Sequence, residues 1–259
     1  MRLTPRQRAS WLAHLFKAVT QQHHAELRAT FAPYIPSDAV VVDIGAHAGQ
    51  FSKLFARMAP QGHVYAFEPS AYAGSLMTPA LKLNAIGNVT LLPLGLSDAP
   101  GEIVLRTPVK ASGALGFGLA HLGAPDPSLP AIDQAVTLTT LDDFVAERGL
   151  ERLDFIKADI EGWELRALKG GERSLRRFGP ALFLEVDGAL LARAGDTPAD
   201  LFAWLASLGY DLPGPVGTGD YLFVDRRTNR KEAWPNTTSS SSGAARAATT
   251  APSAPGSWG

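Results

Sequence analysis

The sequence predicts a doubly wound α/β domain built on a mostly parallel sheet, and three groups of residues carry that expectation. Val40-Val41-Val42-Asp43-Ile44 is an apolar, β-branched run ending in Asp-x-Gly, with a second glycine at Gly49 and a helical pattern from Gln50. That order reads as strand, tight turn and helix N-terminus. His63-Val64-Tyr65-Ala66-Phe67 is a second short strand, closing on Glu68. Leu153 to Ala158 and Ala181 to Leu184 are two more, closing on Asp159 and Glu185. Apolar strands alternating with helical patterns make βαβ units and hence a parallel sheet.

Composition narrows the classes. A chain of 259 residues holds one well-cored domain with end segments. With 24 Lys and Arg against 25 Asp and Glu the net charge is −1, so the basic field that a nucleic-acid backbone requires is missing and a small or neutral acceptor is expected. The absence of cysteine removes disulfides, thiolate metal sites and cysteine nucleophiles together. The basic N-terminus leads into no apolar stretch, and no run of about eighteen apolar residues occurs. A cytoplasmic protein without a membrane segment is therefore expected.

Taken in order, Thr4 and Pro5 open a helical pattern that runs through Trp11, Leu12, Leu15, Phe16, Val19, Leu27 and Phe31, as one helix or two. This N-terminal segment, residues 1–37, is expected to pack on the domain. It is also the candidate for a homo-oligomer face or a cover over the substrate side. The domain proper is expected over residues 38–228. After Glu68-Pro69 a helix spans 71–86, Val89 to Leu92 is the third strand, and Gly101 to Leu105 an extra one. Residues 107–133, rich in Gly, Ala and Pro, read as a long functional loop in which Lys110, Ser112 and His121 are candidates to touch an acceptor. Val136 to Thr139 is a strand, and Thr140 caps a helix over 141–148. A helix from Trp163 to Lys169 ends at Gly170-Gly171, and another runs from Asp200 to Leu208 after Thr197-Pro198. Tyr210 and Asp220 to Val224 supply the closing strands. Residues 229–259 are low in complexity and poor in large apolar side chains, so a disordered tail is expected.

The first turn carries the chemistry. A dehydrogenase fingerprint G-x-G-x-x-G needs glycine at positions 47 and 50, which hold His47 and Gln50. What remains is the looser D-x-G-x-x-x-G of S-adenosylmethionine (SAM) enzymes. Glu68 falls beside this turn, where a carboxylate can accept both hydroxyls of a ribose. Asp98 either faces an adenine amine or caps its own turn. Asp159 and Glu161 lie two residues apart and, in an extended backbone, point the same way.

Val42 to Phe51, Phe67-Glu68-Pro69, Leu96-Ser97-Asp98, Thr140-Leu141-Asp142 and Ile156 to Glu164 resemble, in order, the blocks of the FkbM family of SAM-dependent methyltransferases. The resemblance implies the class I methyltransferase (Rossmann-like) sheet of seven strands with the last antiparallel, and O-methylation of a hydroxyl on a small molecule, sugar, glycan or natural product. His47 replaces the asparagine common in the first block, while Ala158 and Trp163 depart from the family only in packing residues. On this reading Asp43 and the turn from Gly45 through Ala46 to Gly49, with Phe51, hold the methionine end of SAM. Glu68 holds the ribose, and Ser97, Asp98 and Asp159 complete the cofactor site. Glu161 or Asp159 serves as base, with His47 and Glu185 behind them. Alternatively Asp159, Glu161 and Glu185 hold a divalent ion such as Mg2+ that lowers the pKa of the acceptor hydroxyl. N-methylation of a small molecule and a non-catalytic SAM-binding protein stay open as rivals. The second has no need of carboxylates at 159 and 161.

Overall fold

The computed structural model describes residues 4–108, 121–122, 131–211, 215–217 and 219–227. The N-terminal pattern forms two helices. In α1 (Pro5–Thr20) the Thr4 hydroxyl accepts the Gln7 N–H, the Gln7 side chain accepts the Thr4 N–H, and Pro5 occupies the first turn. A 3-10 turn (Ala25–Leu27) and α2 (Arg28–Phe31) follow, after a break at His24, whose φ of 63° is left-handed.

The strands in chain order are β1 (Val40–Ile44), β2 (His63–Phe67), β3 (Val89–Leu92), β4 (Gly95–Leu96), β5 (Gly101–Pro108), β6 (His121–Leu122), β7 (Ala131–Thr139), β8 (Phe155–Ala158), β9 (Ala181–Glu185) and β10 (Asp220–Phe223). The central sheet has the order β3-β2-β1-β8-β9-β10. All its pairs are parallel except β9 with β10, so the expected antiparallel last strand is present. It has six strands among the described residues rather than seven. Where another closing strand was expected, Tyr210 makes only an isolated antiparallel bridge to Asp225. The sequence that follows carries Pro213 and Pro215, which supply no N–H to a ladder.

The stretch read as one long loop is structured at both ends. β5 and β7 pair antiparallel from Gly101↔Leu138 to Pro108↔Ala131 and, with β4 and β6, make a second sheet of four strands. The strands expected at Gly101 to Leu105 and Val136 to Thr139 are both present, and each is longer than expected: β5 runs on to Pro108 and β7 begins at Ala131. His121 lies on β6 opposite Arg106, while Lys110 and Ser112 fall outside the described residues, as does the segment 229–259.

Helices α3 (Gln50–Met58) and α4 (Ala71–Leu83) join the first three strands, and α5 (Leu141–Glu147) follows its Thr140 cap as expected. After β8 the chain forms α6 (Glu164–Lys169) and then α7 (Glu172–Phe178). Asp187 caps α8 (Gly188–Ala194), and Thr197 opens α9 (Pro198–Leu208) with a capping box. Neither α7 nor α8, each 7 residues long, was foreseen. No helix among the described residues is long and apolar enough to cross a membrane.

The two faces of the sheet bury different helices. Val42, Ile44, Ile156 and Leu182 face α5, α6 and α9, whereas Val41, Phe155 and Phe183 face α2 and α3. On the second face Phe31 is fully buried and has the rings of Phe51, Phe55, Phe155 and Phe183 around it at 4.9 to 6.4 Å. The N-terminal segment is thus part of the core. Phe31→Ala should cost about 3–5 kcal/mol of unfolding free energy. Urea unfolding checks this, and a loss under about 1 kcal/mol would show that the segment docks without supporting the sheet.

Candidate functional site

Strand parity places Asp43 and Lys157 next to each other. They are register partners on β1 and β8, and both point to the α3 face. Asp43 is completely buried; its Oδ2 accepts the Ser52 hydroxyl of α3, and its Oδ1 has the Lys157 ammonium 3.5 Å away. Lys157 donates to the carbonyls of Ile44 at 3.2 Å and Gly45 at 2.8 Å, and lies 3.7 Å from Asp159. Burial alone would push this ammonium down, but Asp159, Asp43 and Glu68 outweigh it and hold its pKa above the usual lysine range. Asp43 therefore supports the turn from beneath. The expectation that it meets the methionine end of a ligand is corrected: it exposes no surface at the strand ends.

The turn itself is formed as the sequence predicts. Gly45 and Ala46 donate to the Phe67 carbonyl, and Gly49 donates to Ala46 as the chain enters α3. Gly45 has a φ of 74°, and a Cβ there would fall on the Asp159 carbonyl oxygen. A side chain at Gly49 would meet Met77. Both glycines thus answer to the packing of their own chain as much as to any ligand. His47 also takes a left-handed φ of 51°, a conformation that histidine tolerates better than most residues. It lies exposed on the turn and gives its N–H to Glu68.

Glu68 is not the surface acid that its place at a strand end suggests. Only 7% of it is exposed, Oε2 accepts the His47 N–H at 2.7 Å, and Oε1 accepts the Ser70 N–H at 2.7 Å. Burial pushes its carboxyl up to about 7 against the opposing pull of those two N–H groups and of Lys157. It joins the first turn to the start of α4.

On the other side of β1 the carboxylates gather around Lys157. Asp159 is exposed at the end of β8. Glu161 does not continue an extended strand: its φ is 58°, so the backbone turns back and the parity argument fails there. A residue that sequence reasoning missed makes this turn. Glu164 is buried, and its Oε1 accepts the N–H groups of Ile160 and Gly162 at 2.8 and 3.2 Å. The signal was present, since an acid two to four residues after a glycine turn can close on the backbone behind it. Glu185, one strand away, is pushed up to about 8 by burial first, then by the charge and hydrogen bond of Asp159 and by Glu161 and Glu164. Its register partner Asp220 is also raised, by burial and by Asp159. Asp159, Glu161 and Glu185 do come together as predicted. Yet among the described residues no three His, Asp or Glu side chains are arranged to hold a metal ion, so the alternative ligand set is not formed.

Ser97 and Asp98 follow β4. Ser97 is buried and donates to Asp98, which is exposed, and the Trp163 indole N–H donates to Ser97 at 3.3 Å. Phe51, expected at the methionine end, packs its ring among Phe31, Phe55 and Phe183 with His24 stacked on it.

Comparison with known proteins follows this geometry. The methyltransferase FkbM domain matches residues 43–212. Methyltransferase sdnD of Sordaria araneosa is 31% identical over 159 residues, covering 52% of this chain and 61% of that protein. The 2-O-methyltransferase NoeI of Sinorhizobium fredii (strain NBRC 101917 / NGR234) is 26% identical over 148 residues, covering 54% and 60%. The chain thus spans about 60% of the length of these two relatives. The crystal structure of methyltransferase FkbM from Methylobacillus flagellatus KT aligns with a TM-score of 0.49 at 17% identity, over 85% of this chain and 59% of that one.

The raised carboxyl of Glu185 makes stability depend on pH. Its folded pKa of about 8 lies above the ordinary 4.5, so its contribution is fully present below about pH 4.5 and is lost as pH rises through about 8. Glu185→Gln cannot ionise. Relative to the parent, its melting temperature should rise between about pH 5 and about pH 9 by a few degrees, at roughly 2–4 °C per kcal/mol for a domain of this size. Identical pH slopes in the two proteins would remove the charge cluster.

Proposed function

This chain belongs to the FkbM methyltransferase domain family, and from that premise we propose that it transfers a methyl group from SAM to a hydroxyl of a small molecule, sugar or glycan. The observation that carries this reading is Glu68, whose two oxygens rest on N–H groups at the mouth of the turn, beside an α3 N-terminus that no side chain caps among the described residues. A carboxylate that accepts two bonds keeps lone pairs for a ribose diol. An open helix N-terminus suits the carboxylate of a methionine moiety. Ser97 and Asp98, with the Trp163 indole against Ser97, would then lie at the adenine end.

When bound, SAM supplies a methyl group already activated by its sulfonium, so the chain has to align the acceptor and receive its proton. Asp159 is the exposed carboxylate nearest Lys157 and is the group that would hold the acceptor hydroxyl in place. A hydroxyl acceptor draws further support from the relative named as a 2-O-methyltransferase. The neutral-to-acidic rim of Asp159, Glu185 and Asp220 suits a polyol better than a phosphorylated acceptor, which these charges would repel.

Calorimetry should show SAM binding and no heat with NADH. In Asp159→Asn, SAM affinity should persist while transfer of labelled methyl into hydroxylated acceptors falls about a hundredfold. NADH binding in place of SAM would overturn the cofactor. Undiminished transfer in the variant would take Asp159 out of the acceptor site.

A further inference from the structure

We propose that His24 is the acceptor-facing base of the transfer site: its imidazole, held over Phe51 beside Lys157 and Asp159, takes the proton of the acceptor hydroxyl. This rests on the methyl-transfer reading above and names a residue from the N-terminal segment, outside the span matched by the family domain.

The segment is fastened to the helix that begins at the glycine turn. Lys53 of α3, only 1% exposed, donates to the carbonyls of Ala18 and Gln21 at the end of α1. Gln22 donates to the Gln50 carbonyl at 2.9 Å, the Gln50 side chain accepts the His23 N–H at 3.3 Å, and Arg57 donates to the Gln22 side chain at 2.8 Å. A buried ammonium directed at the carbonyl end of a helix is a firm anchor. It fixes the chain up to the position where His24 turns left-handed.

Two features of His24 separate it from an incidental surface histidine. Its φ of 63° places a residue with a Cβ in a sparsely populated region, which costs free energy and persists where the surroundings dictate it. Its ring lies nearly parallel to that of Phe51, at 12° and 4.3 Å between centroids. The same Phe51 ring has the Lys157 ammonium 5.4 Å from its centroid. Lys157, Asp159 and Glu185 follow the strand parity that faces α3, and His24, stacked on Phe51 of that helix, feels the charges of Lys157 and Asp159.

The charged groups around His24 are Glu26 and His23 on its own segment and Lys157 and Asp159 on the sheet. Burial lowers its pKa from 6.5, Glu26 opposes that, His23 and Lys157 push it further down, and Asp159 pulls it up. The imidazole is therefore neutral at pH 7, the form that accepts a proton. Glu185, raised to about 8, already holds a proton at that pH and cannot take another. Asp159 is engaged by Lys157 at 3.7 Å and by a hydrogen bond with Glu185, a position from which it can orient the acceptor hydroxyl.

The step balances. The acceptor O–H breaks and an N–H forms on His24, the oxygen electron pair forms the bond to the methyl carbon, and the carbon–sulfur bond breaks with its pair left on sulfur. The imidazolium then returns its proton to water.

The test uses the full chain and NMR titration of the His24 ring, assigned by the signal lost in His24→Phe. Titrations are run on the free protein, with S-adenosylhomocysteine, and with SAM. The two ligands differ by one methyl group and one positive charge. A ring that faces the transfer point should bind its proton about tenfold more weakly with SAM than with S-adenosylhomocysteine. Equal proton affinity in both complexes overturns the proposal. If neither ligand moves any resonance, the methyl-transfer reading itself fails. His24→Phe keeps the stack on Phe51, so its calorimetric SAM affinity should match the parent while methyl transfer falls about a hundredfold; its melting temperature should fall slightly, because phenylalanine tolerates a φ of 63° less well than histidine. Parental transfer in that variant also overturns the assignment.

Discussion

The buried ammonium of Lys157 is the constraint on which the carboxyl ends of the central strands depend. It is tied to two backbone carbonyls that leave β1, to the fully buried Asp43 and to Asp159. An isolated charge in such a place would carry a desolvation cost of several kcal/mol. Here the opposite charges and the carbonyl oxygens offset that cost, and the direction of the Lys157 pKa shift shows which side prevails. Removing one member of such a set strands the other, at about 3–5 kcal/mol. The glycine turn is therefore held from below by an ion pair and from the side by Glu68.

Two classes of acid separate once their partners are known. Glu68, Glu164, Asp142, Asp154 and Asp187 direct oxygens at backbone N–H groups and shape the loops. Asp159, Glu185 and Asp220 instead face one another across adjacent strands and share a field that raises the carboxyls of Glu185 and Asp220. Acids of the first class hold the frame still, and those of the second are free to meet an acceptor. The convergence of acids at strand ends was legible in the sequence. Their division was not, because it depends on which N–H groups the folded loops turn inward.

Periodicity and capping residues located most of the frame. Thr4, Thr140 and Thr197 each start the helix that their spacing predicts, and the apolar runs at Val40, His63 and Ala181 are all strands. The misses have physical causes. β5 and β7 were expected only over Gly101 to Leu105 and Val136 to Thr139; the polar residues Arg106, Thr107, Asp133 and Gln134 in the remainder gave no strand signal. Glu161 turns left-handed, which cancels the parity argument for its side chain. Asp43, expected at the methionine end from its place in the glycine-turn motif, is completely buried beneath the turn. Adjacency in sequence fixes distance from the turn, and only packing decides direction.

Packing also ties the N-terminal segment to the helix that begins at the glycine turn. Its helices lie before residue 43, where the family match begins, so the features shared with relatives concern the turn and the strand ends rather than what covers them. Phe31 anchors the segment in the aromatic cluster, and Lys53 holds the end of α1. Between those two fixed points the chain has little freedom at His24, and the left-handed conformation there is the geometric remainder. A cofactor site common to many relatives needs the same turn in each. The N-terminal segment lies outside the span that the family shares, and the bonds from Lys53 and Gln22 attach it firmly to α3.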